Sequence, residues 1–379
     1  MVMNYVGISS EDFDDIYTLC FARIKTLIIS LTHKCNFNCT HCLIGANFRN
    51  KHLMKTDYLK LVINQFSKIS TARNIVFTGG EPFTRTDLIE LVEYSTEHKI
   101  FVNIDTNGFL LCDSLIEKIA SFKDYIRITI SVDGLSSKTH DDFRRIKGAY
   151  NRILRNIKSL READVPVTIN TVLHKKNINE ILGIIDFFVL ELGCSHSLIP
   201  IISELGRGKT ERAKKFALSQ KQILLFLNKY YFVKFREFKT VKKDKLLDVV
   251  IPKPFIPSDI HRSPKCDWGF GMIGLTAKGR FGICQYANEE LSTIKSNNNI
   301  IKAWHEDLFK TLRRIDTNNL KGVCGNCKYA SWCRGFCRLY AHEIYKDIFA
   351  PYPFCQDTYN NNLFPSTCLI NTKKESFFF

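Results

Sequence analysis

The chain has 379 residues, 45% of them hydrophobic and 24% charged, a balance that builds a sizeable core and excludes intrinsic disorder. Its formal charge of +16 includes modest basic runs at 209–215 ("KTERAKK") and 239–245 ("KTVKKDK"). No nucleic-acid motif accompanies the charge, which reads as a solvated surface or as attraction for an acidic partner such as an anionic peptide segment. The start, "MVMNYVGISSEDFDD", lacks the basic and apolar regions of a secretory signal. The most apolar later run, "ILGIIDFFVLELG", carries Asp186 and Glu191 and is too short for a bilayer, so the sequence predicts a soluble, cytoplasmic protein with no membrane partner.

In chain order, "IKTLIISL" (24–31) is strand-like and runs directly into a cysteine loop. "TDYLKLVINQFSKI" (56–69) places Leu59, Val62, Ile63, Phe66 and Ile69 on one helical stripe. Strands follow at 74–80, 100–108, 125–134, 165–173 and 197–203, separated by helical patterns near 86–98, 113–122, 149–163 and 178–192. Such alternation predicts an α/β fold with a parallel sheet. Six units are too few to close an eight-stranded barrel, so the expectation is an open, partial (β/α)6 barrel of the TIM type over 24–208, preceded by an N-terminal segment, 1–23. Residues 209–265 read as a basic bridge with one helix and a proline-punctuated end. A small cysteine-rich domain spans 266–356, and 357–379 forms a tail.

Fourteen cysteines in an intracellular chain argue against a disulfide framework, and their short spacings favour metal. Cys35, Cys39 and Cys42 form C-x3-C-x2-C. Three soft thiolates are one too few for a four-iron cube, which takes one ligand per iron. On spacing alone a zinc site borrowing Cys20, Cys112 or Cys194 would also serve. "TGGEP" ends the second strand with Gly79, Gly80, Glu81 and Pro82, "TNG" closes the third with Asn107, and "SVDG" closes the fourth with Ser131 and Asp133. "HDDFRR" supplies Arg144, with Arg145 beside it.

This set resembles the radical S-adenosylmethionine (radical SAM) family. The resemblance implies that Cys35, Cys39 and Cys42 hold a 4Fe–4S cluster whose fourth iron binds S-adenosylmethionine. It implies that His41 lies near the adenine (a plain loop histidine is the alternative), and that the Gly79–Pro82 backbone and Glu81 accept from the ammonium. Asn107 would belong to the same cofactor-binding set. Ser131 and Asp133 would meet the carboxylate and ribose, and Arg144 would pair with the carboxylate.

Further on, Cys266-x12-Gly279-x4-Cys284 is followed by Cys324-x2-Cys327-x5-Cys333-x3-Cys337 and then Cys355. The alternative here is a zinc ribbon built on the central four. The full pattern resembles the SPASM extension of radical SAM enzymes, which implies two auxiliary iron–sulfur clusters. Cys324, Cys327, Cys333 and Cys355 would hold the outer one. Cys266, Cys284 and Cys337 would hold the inner one, a protein ligand short and so with an open site. Cys368 is a candidate hydrogen donor if the reaction is an epimerisation.

The expected activity is that of a peptide- or protein-modifying oxidoreductase that forms a thioether or carbon–carbon cross-link in a ribosomally made peptide. It would need an external electron donor of the flavodoxin or ferredoxin type. Only 34 residues precede Cys35, too few for a fused peptide-recognition domain, so a separate recognition protein or docking on the basic bridge is expected. Alternatives are a sulfatase-activating dehydrogenase, a peptide epimerase, an oxidoreductase acting on a small cofactor precursor such as a haem side chain, or a non-catalytic iron–sulfur carrier or zinc scaffold.

Overall fold

The computed structural model describes residues 24–51, 54–69, 73–241, 247–260, 267–293, 299–315 and 318–370. Cys20, Cys266 and the segments 1–23 and 371–379 lie outside them.

Six parallel strands form the centre of the fold: β1 (Thr26–Thr32), β2 (Asn74–Gly79), β3 (Phe101–Thr106), β4 (Ile126–Ser131), β5 (Val167–Val172) and β6 (Ser195–Ile199). Between them run α1 (Thr56–Ile69), α2 (Leu88–Glu97), α3 (Asp113–Ala120), α4 (Ser137–Arg144), α5 (Ala149–Glu162) and α6 (Ile181–Ile185), the last widening into a π-helical turn at Asp186–Glu191. The stripe expected on α1 is buried at Leu59, Val62, Ile63 and Phe66. Helix α4 escaped the sequence reading because its residues are mostly polar and show no apolar period; Ser136 caps it by accepting from the Thr139 amide.

The sheet does not stop at six strands. β7 (Leu247–Val249), from the basic bridge, extends it beside β6, and β8 (Met272–Leu275), from the cysteine-rich region, runs parallel to β1. β9 (Phe281–Gly282) turns back antiparallel to β8, giving the order β7-β6-β5-β4-β3-β2-β1-β8-β9 with open ends. These strands are two to four residues long, below the length at which alternation can be read from sequence. The bridge carries more helix than expected: α7 (Glu211–Phe216), then α8 (Gln220–Phe226) continuing through a π-helical turn at Leu227–Tyr231 into α9 (Phe232–Val241). Short helices fill the rest, among them α10 (Ala330–Cys333), α11 (Arg338–Tyr345) and α12 (Pro353–Asn360). The tail is not detached: Leu369 bridges to Cys327, and Cys368 is buried.

Strand alternation sorts the side chains. On β4, Ile126, Ile128 and Ile130 are buried in the hydrophobic core, whereas Thr129 and Ser131 face a cavity at the carboxyl ends of the strands. Thr78, Asp105 and Asn170 point into the same cavity from β2, β3 and β5. Among the described residues no helix is long and apolar enough to cross a membrane.

Candidate active site at the carboxyl ends of the strands

The loop after β1 carries the three cysteines. Cys35 and Cys39 are buried and Cys42 is half-buried. Local amide groups turn toward the sulfurs, Phe37 N to Cys35 Sγ and Ala46 N to Cys42 Sγ, each at 3.4 Å. Other elements pin the loop from outside. The Cys35 amide donates to Asn47 O, and the Thr40 amide donates to Phe143 O. Arg207 reaches back across the sheet, its Nε donating to Cys39 O at 2.7 Å and its Nη1 to Ala46 O at 2.9 Å. Gly206 has φ +52°, and a Cβ there would sit 2.3 Å from Leu43 O. Gly206 and Arg207, at the end of the region 24–208, thus form a clamp on the cysteine loop.

The two glycines of GGEP serve a similar purpose. A Cβ on Gly79 would lie 2.4 Å from Thr32 O, and one on Gly80 would lie 2.2 Å from Lys34 O. The close approach that requires them is therefore to the chain's own backbone just before Cys35, although both also border the cavity. Glu81 is fully buried and turned away from the cavity wall. Its carboxylate accepts from Thr106 Oγ1 at 2.7 Å, the Asn107 amide at 2.8 Å and the Phe83 amide at 3.1 Å, tying the turn to the end of β3. Burial pushes that carboxyl up to about 7 despite these donors. Pro82 starts the short 3-10 turn that follows and likewise does not reach the cavity.

The cavity, of about 240 Å³, is bordered by Cys35, Cys39, Cys42, His41, Gly79, Gly80, Asn107, Ser131 and Arg144. Nine of the residues singled out in the sequence are therefore gathered in one place. Arg144, rather than the exposed Arg145, faces it. Asp133 does not: it is fully buried behind Arg144, with Oδ2 accepting from Arg144 Nε at 2.6 Å and Oδ1 from the Val172 amide at 2.8 Å. Burial pushes the Asp133 carboxyl up, but Arg144 and the flanking histidines outweigh it and hold it below the usual range. Arg144 Nη1 also points at Cys39 Sγ, 3.8 Å away. His41 stacks on Phe143, 4.3 Å between rings and 5° from parallel, and burial, then Arg144, push its imidazole down to about 3.

Sequence reasoning missed Asp105, Asn170, Arg207 and Tyr286, all at the cavity wall. The only signal for Asp105 and Asn170 was a polar residue at the cavity-facing register of a strand that also carries other polar residues. Tyr286 Oη lies 3.3 Å from Thr78 Oγ1. Burial pushes the Asp105 carboxyl up to about 6, with Asn103, Thr78 and Thr129 as its hydrogen-bonding neighbours. Two buried atoms at this wall, His41 Nδ1 and Asn170 Oδ1, have no hydrogen-bond partner among the described residues.

A second cysteine group lies in the C-terminal region. Cys324, Cys327, Cys333 and Cys355 border one tight space of about 10 Å³ with Pro254 and Phe364. Burial, and then the nearby Cys337 sulfur, push the Cys284 thiol up, while their expected partner Cys266 is outside the described residues. Among the described residues no three His, Cys, Asp or Glu side chains converge as a single metal ion requires.

A family model for the radical SAM superfamily matches residues 29–188. An AdoMet-dependent heme synthase of Methanosarcina barkeri is 30% identical over 345 residues, covering 86% of this chain and 94% of the relative. The chain belongs to the radical SAM superfamily. A PqqA peptide cyclase of Bradyrhizobium diazoefficiens is 25% identical over 337 residues, 87% of this chain and 85% of that one. The crystal structure of Streptococcus suis SuiB bound to its precursor peptide SuiA superposes with a TM-score of 0.70 at 19% identity, over 94% of this chain and 84% of SuiB. The fold is thus shared along nearly the whole chain.

Membership implies S-adenosylmethionine and a 4Fe–4S cluster, and the residues present fit both. Three soft sulfurs, Cys35, Cys39 and Cys42, border the cavity and are the donor type that iron takes. The unpartnered His41 Nδ1 and Asn170 Oδ1 are groups that a polar ligand would satisfy.

Proposed function

We propose that this radical SAM enzyme is a peptide-modifying maturase that forms a thioether or carbon–carbon cross-link in a ribosomally made peptide. The observation that carries this reading is the pairing, in one chain, of an open three-cysteine site with a second, gathered cysteine set. The likeness to a peptide cyclase and to a precursor-peptide-binding fold supports it. When bound, S-adenosylmethionine and the reduced cluster supply a 5′-deoxyadenosyl radical able to take a hydrogen atom from an unactivated carbon.

The chain's own residues hold and aim that chemistry. Cys35, Cys39 and Cys42 would hold the cluster. Arg144, fixed by Asp133, presents a guanidinium edge to a carboxylate, and Ser131, Asn107 and Asn170 add hydrogen bonds. His41, kept neutral and stacked on Phe143, offers a flat face to the adenine. Glu81 keeps the GGEP turn and Asn107 in register with the cysteine loop. The inward wall of Thr78, Asp105, Thr129 and Tyr286 takes the substrate, and Asp105 can hold a proton that leaves it. The C-terminal cysteines would carry two auxiliary clusters. An external flavodoxin- or ferredoxin-type donor, and a recognition protein or the basic surface, complete the system.

A second reading, an oxidoreductase acting on a haem precursor, is favoured by the 30% identity to the heme synthase. Co-expression with the product of a short reading frame beside the gene separates the two. Mass spectrometry is expected to find a peptide lighter by two hydrogens per bond. An unchanged mass with inverted stereochemistry would mean epimerisation, and an unmodified peptide together with conversion of an added porphyrin would transfer the assignment to the second reading.

A further inference from the structure

Among the described residues Asp105 is the only carboxylate that borders the main cavity. It sits on β3 level with Thr129 of β4, and two residues before Asn107, whose Nδ2 donates to Asn36 Oδ1 in the cysteine loop. It therefore lies one strand repeat deeper than Asn107 and Ser131, on the side away from the cysteines. Its neighbours hold it in place. Thr129 Oγ1 donates to Asn103 Oδ1 at 2.9 Å, which turns the other end of that amide toward Asp105. Asn103 Nδ2 then donates to Asp105 Oδ1 at 2.6 Å. Thr78, whose hydroxyl lies 3.3 Å from Tyr286 Oη, borders the same space from β2. All of these groups are neutral. The two cations at the cavity wall are engaged elsewhere, Arg144 with Asp133 and Arg207 with the Cys39 and Ala46 carbonyls. Among the described residues no ammonium or guanidinium pairs with Asp105. Burial pushes its carboxyl up only to about 6, so it is largely ionised at neutral pH. A substrate that fills the cavity expels the water that solvates this charge, and a neutral one would leave it stranded.

We propose that Asp105 is a specificity-determining residue that takes a positively charged side chain, a lysine ammonium or an arginine guanidinium, at or directly beside the peptide residue to be modified. This rests on the maturase reading and narrows its substrate. The pairing satisfies both charges where water is excluded, and it holds the carboxylate ionised, the form able to accept a proton. A site built around such a partner rejects a neutral analogue of similar shape, because the analogue leaves the site's own polar group unpaired.

The test uses the reconstituted full-length protein with S-adenosylmethionine and the peptide encoded beside the gene. Mass spectrometry first locates the modified residue. A lysine or arginine is expected at it or next to it, and a modified site with neither overturns the proposal. That basic residue is then replaced by norleucine, and the two peptides are compared by kcat/KM and by dissociation constant. Wild type should prefer the basic peptide at least about tenfold in both. In Asp105→Asn the two dissociation constants should agree within about twofold, a readout that survives loss of turnover. A preference that persists in Asp105→Asn would put the charge partner elsewhere and overturn the proposal. So would the absence of a preference in wild type, a measurement that needs no variant protein. Conversion of an added porphyrin with the peptide untouched removes the maturase reading and this inference with it. A modified peptide indifferent to the charge removes the inference alone.

Discussion

Cys35, Cys39 and Cys42 border a cavity of about 240 Å³ walled by Ser131, Asn107, Asp105, Asn170 and Arg144, whereas Cys324, Cys327, Cys333 and Cys355 close on about 10 Å³ among Pro254, Val323, Ala330 and Phe364. The first group has three sulfurs and room beside them for a polar ligand. The second has four sulfurs and apolar walls. The buried cations follow the same division. Arg144 is matched by its own carboxylate, Asp133, and keeps an edge toward the cavity, whereas the fully buried Arg338 donates to the backbone carbonyls of Ile348, Ala350 and Gly335. A thiolate site meant to be completed by a ligand needs a rigid rim and a polar, accessible side. A site meant to keep its metal closed needs neither.

The contrast breaks most completely if the loop cysteines are removed. A Cys35→Ala, Cys39→Ala, Cys42→Ala triple variant should lose S-adenosylmethionine cleavage below detection and about four irons per chain, with the C-terminal iron signal persisting. Cleavage that survives would put the open site elsewhere. Next in size is Arg144→Met, which strands a fully buried Asp133 carboxylate and should cost about 3–5 kcal/mol in denaturant unfolding. Adding Asp133→Asn should return part of that loss, and a purely additive double variant would mean the pair is not coupled.

Gly80→Ala tests whether the rim must be rigid. Its new Cβ would collide with Lys34 O, so a loss of about 1–3 kcal/mol is expected together with weaker cluster loading, read as the melting temperature and the iron content. A neutral Gly80→Ala would show that the loop can shift without harm. The smallest effect is one of pH. Asp133 is held below its ordinary value of 3.8, so the stability it contributes is full above that pH and is lost as pH falls from there through the folded-state value. Unfolding followed by circular dichroism should show this acid limb in wild type and a reduced one in the double variant.

The residues that form the open site were legible because their chemistry is written in short, contiguous strings at strand ends, as in "KCNFNCTHC", "TGGEP" and "SVDG". The purpose of some was not. Glu81 and Asp133 were expected to meet the ligand and instead brace the groups beside it, a distinction only packing can make. Arg207, Asn170, Asp105, Tyr286 and Arg338 belong to no motif that names their role, and are carried to a shared wall or core by strand order and by chain far away in sequence. For the same reason the strands at the sheet's two ends were missed: β7, β8 and β9 are too short to show alternation and exist only because their neighbours do.

The most direct measurement is anaerobic reconstitution of the full chain with iron and sulfide, followed by dithionite and S-adenosylmethionine. The account predicts about twelve irons per chain and formation of 5′-deoxyadenosine. A protein that retains zinc in place of iron and leaves S-adenosylmethionine intact would contradict it.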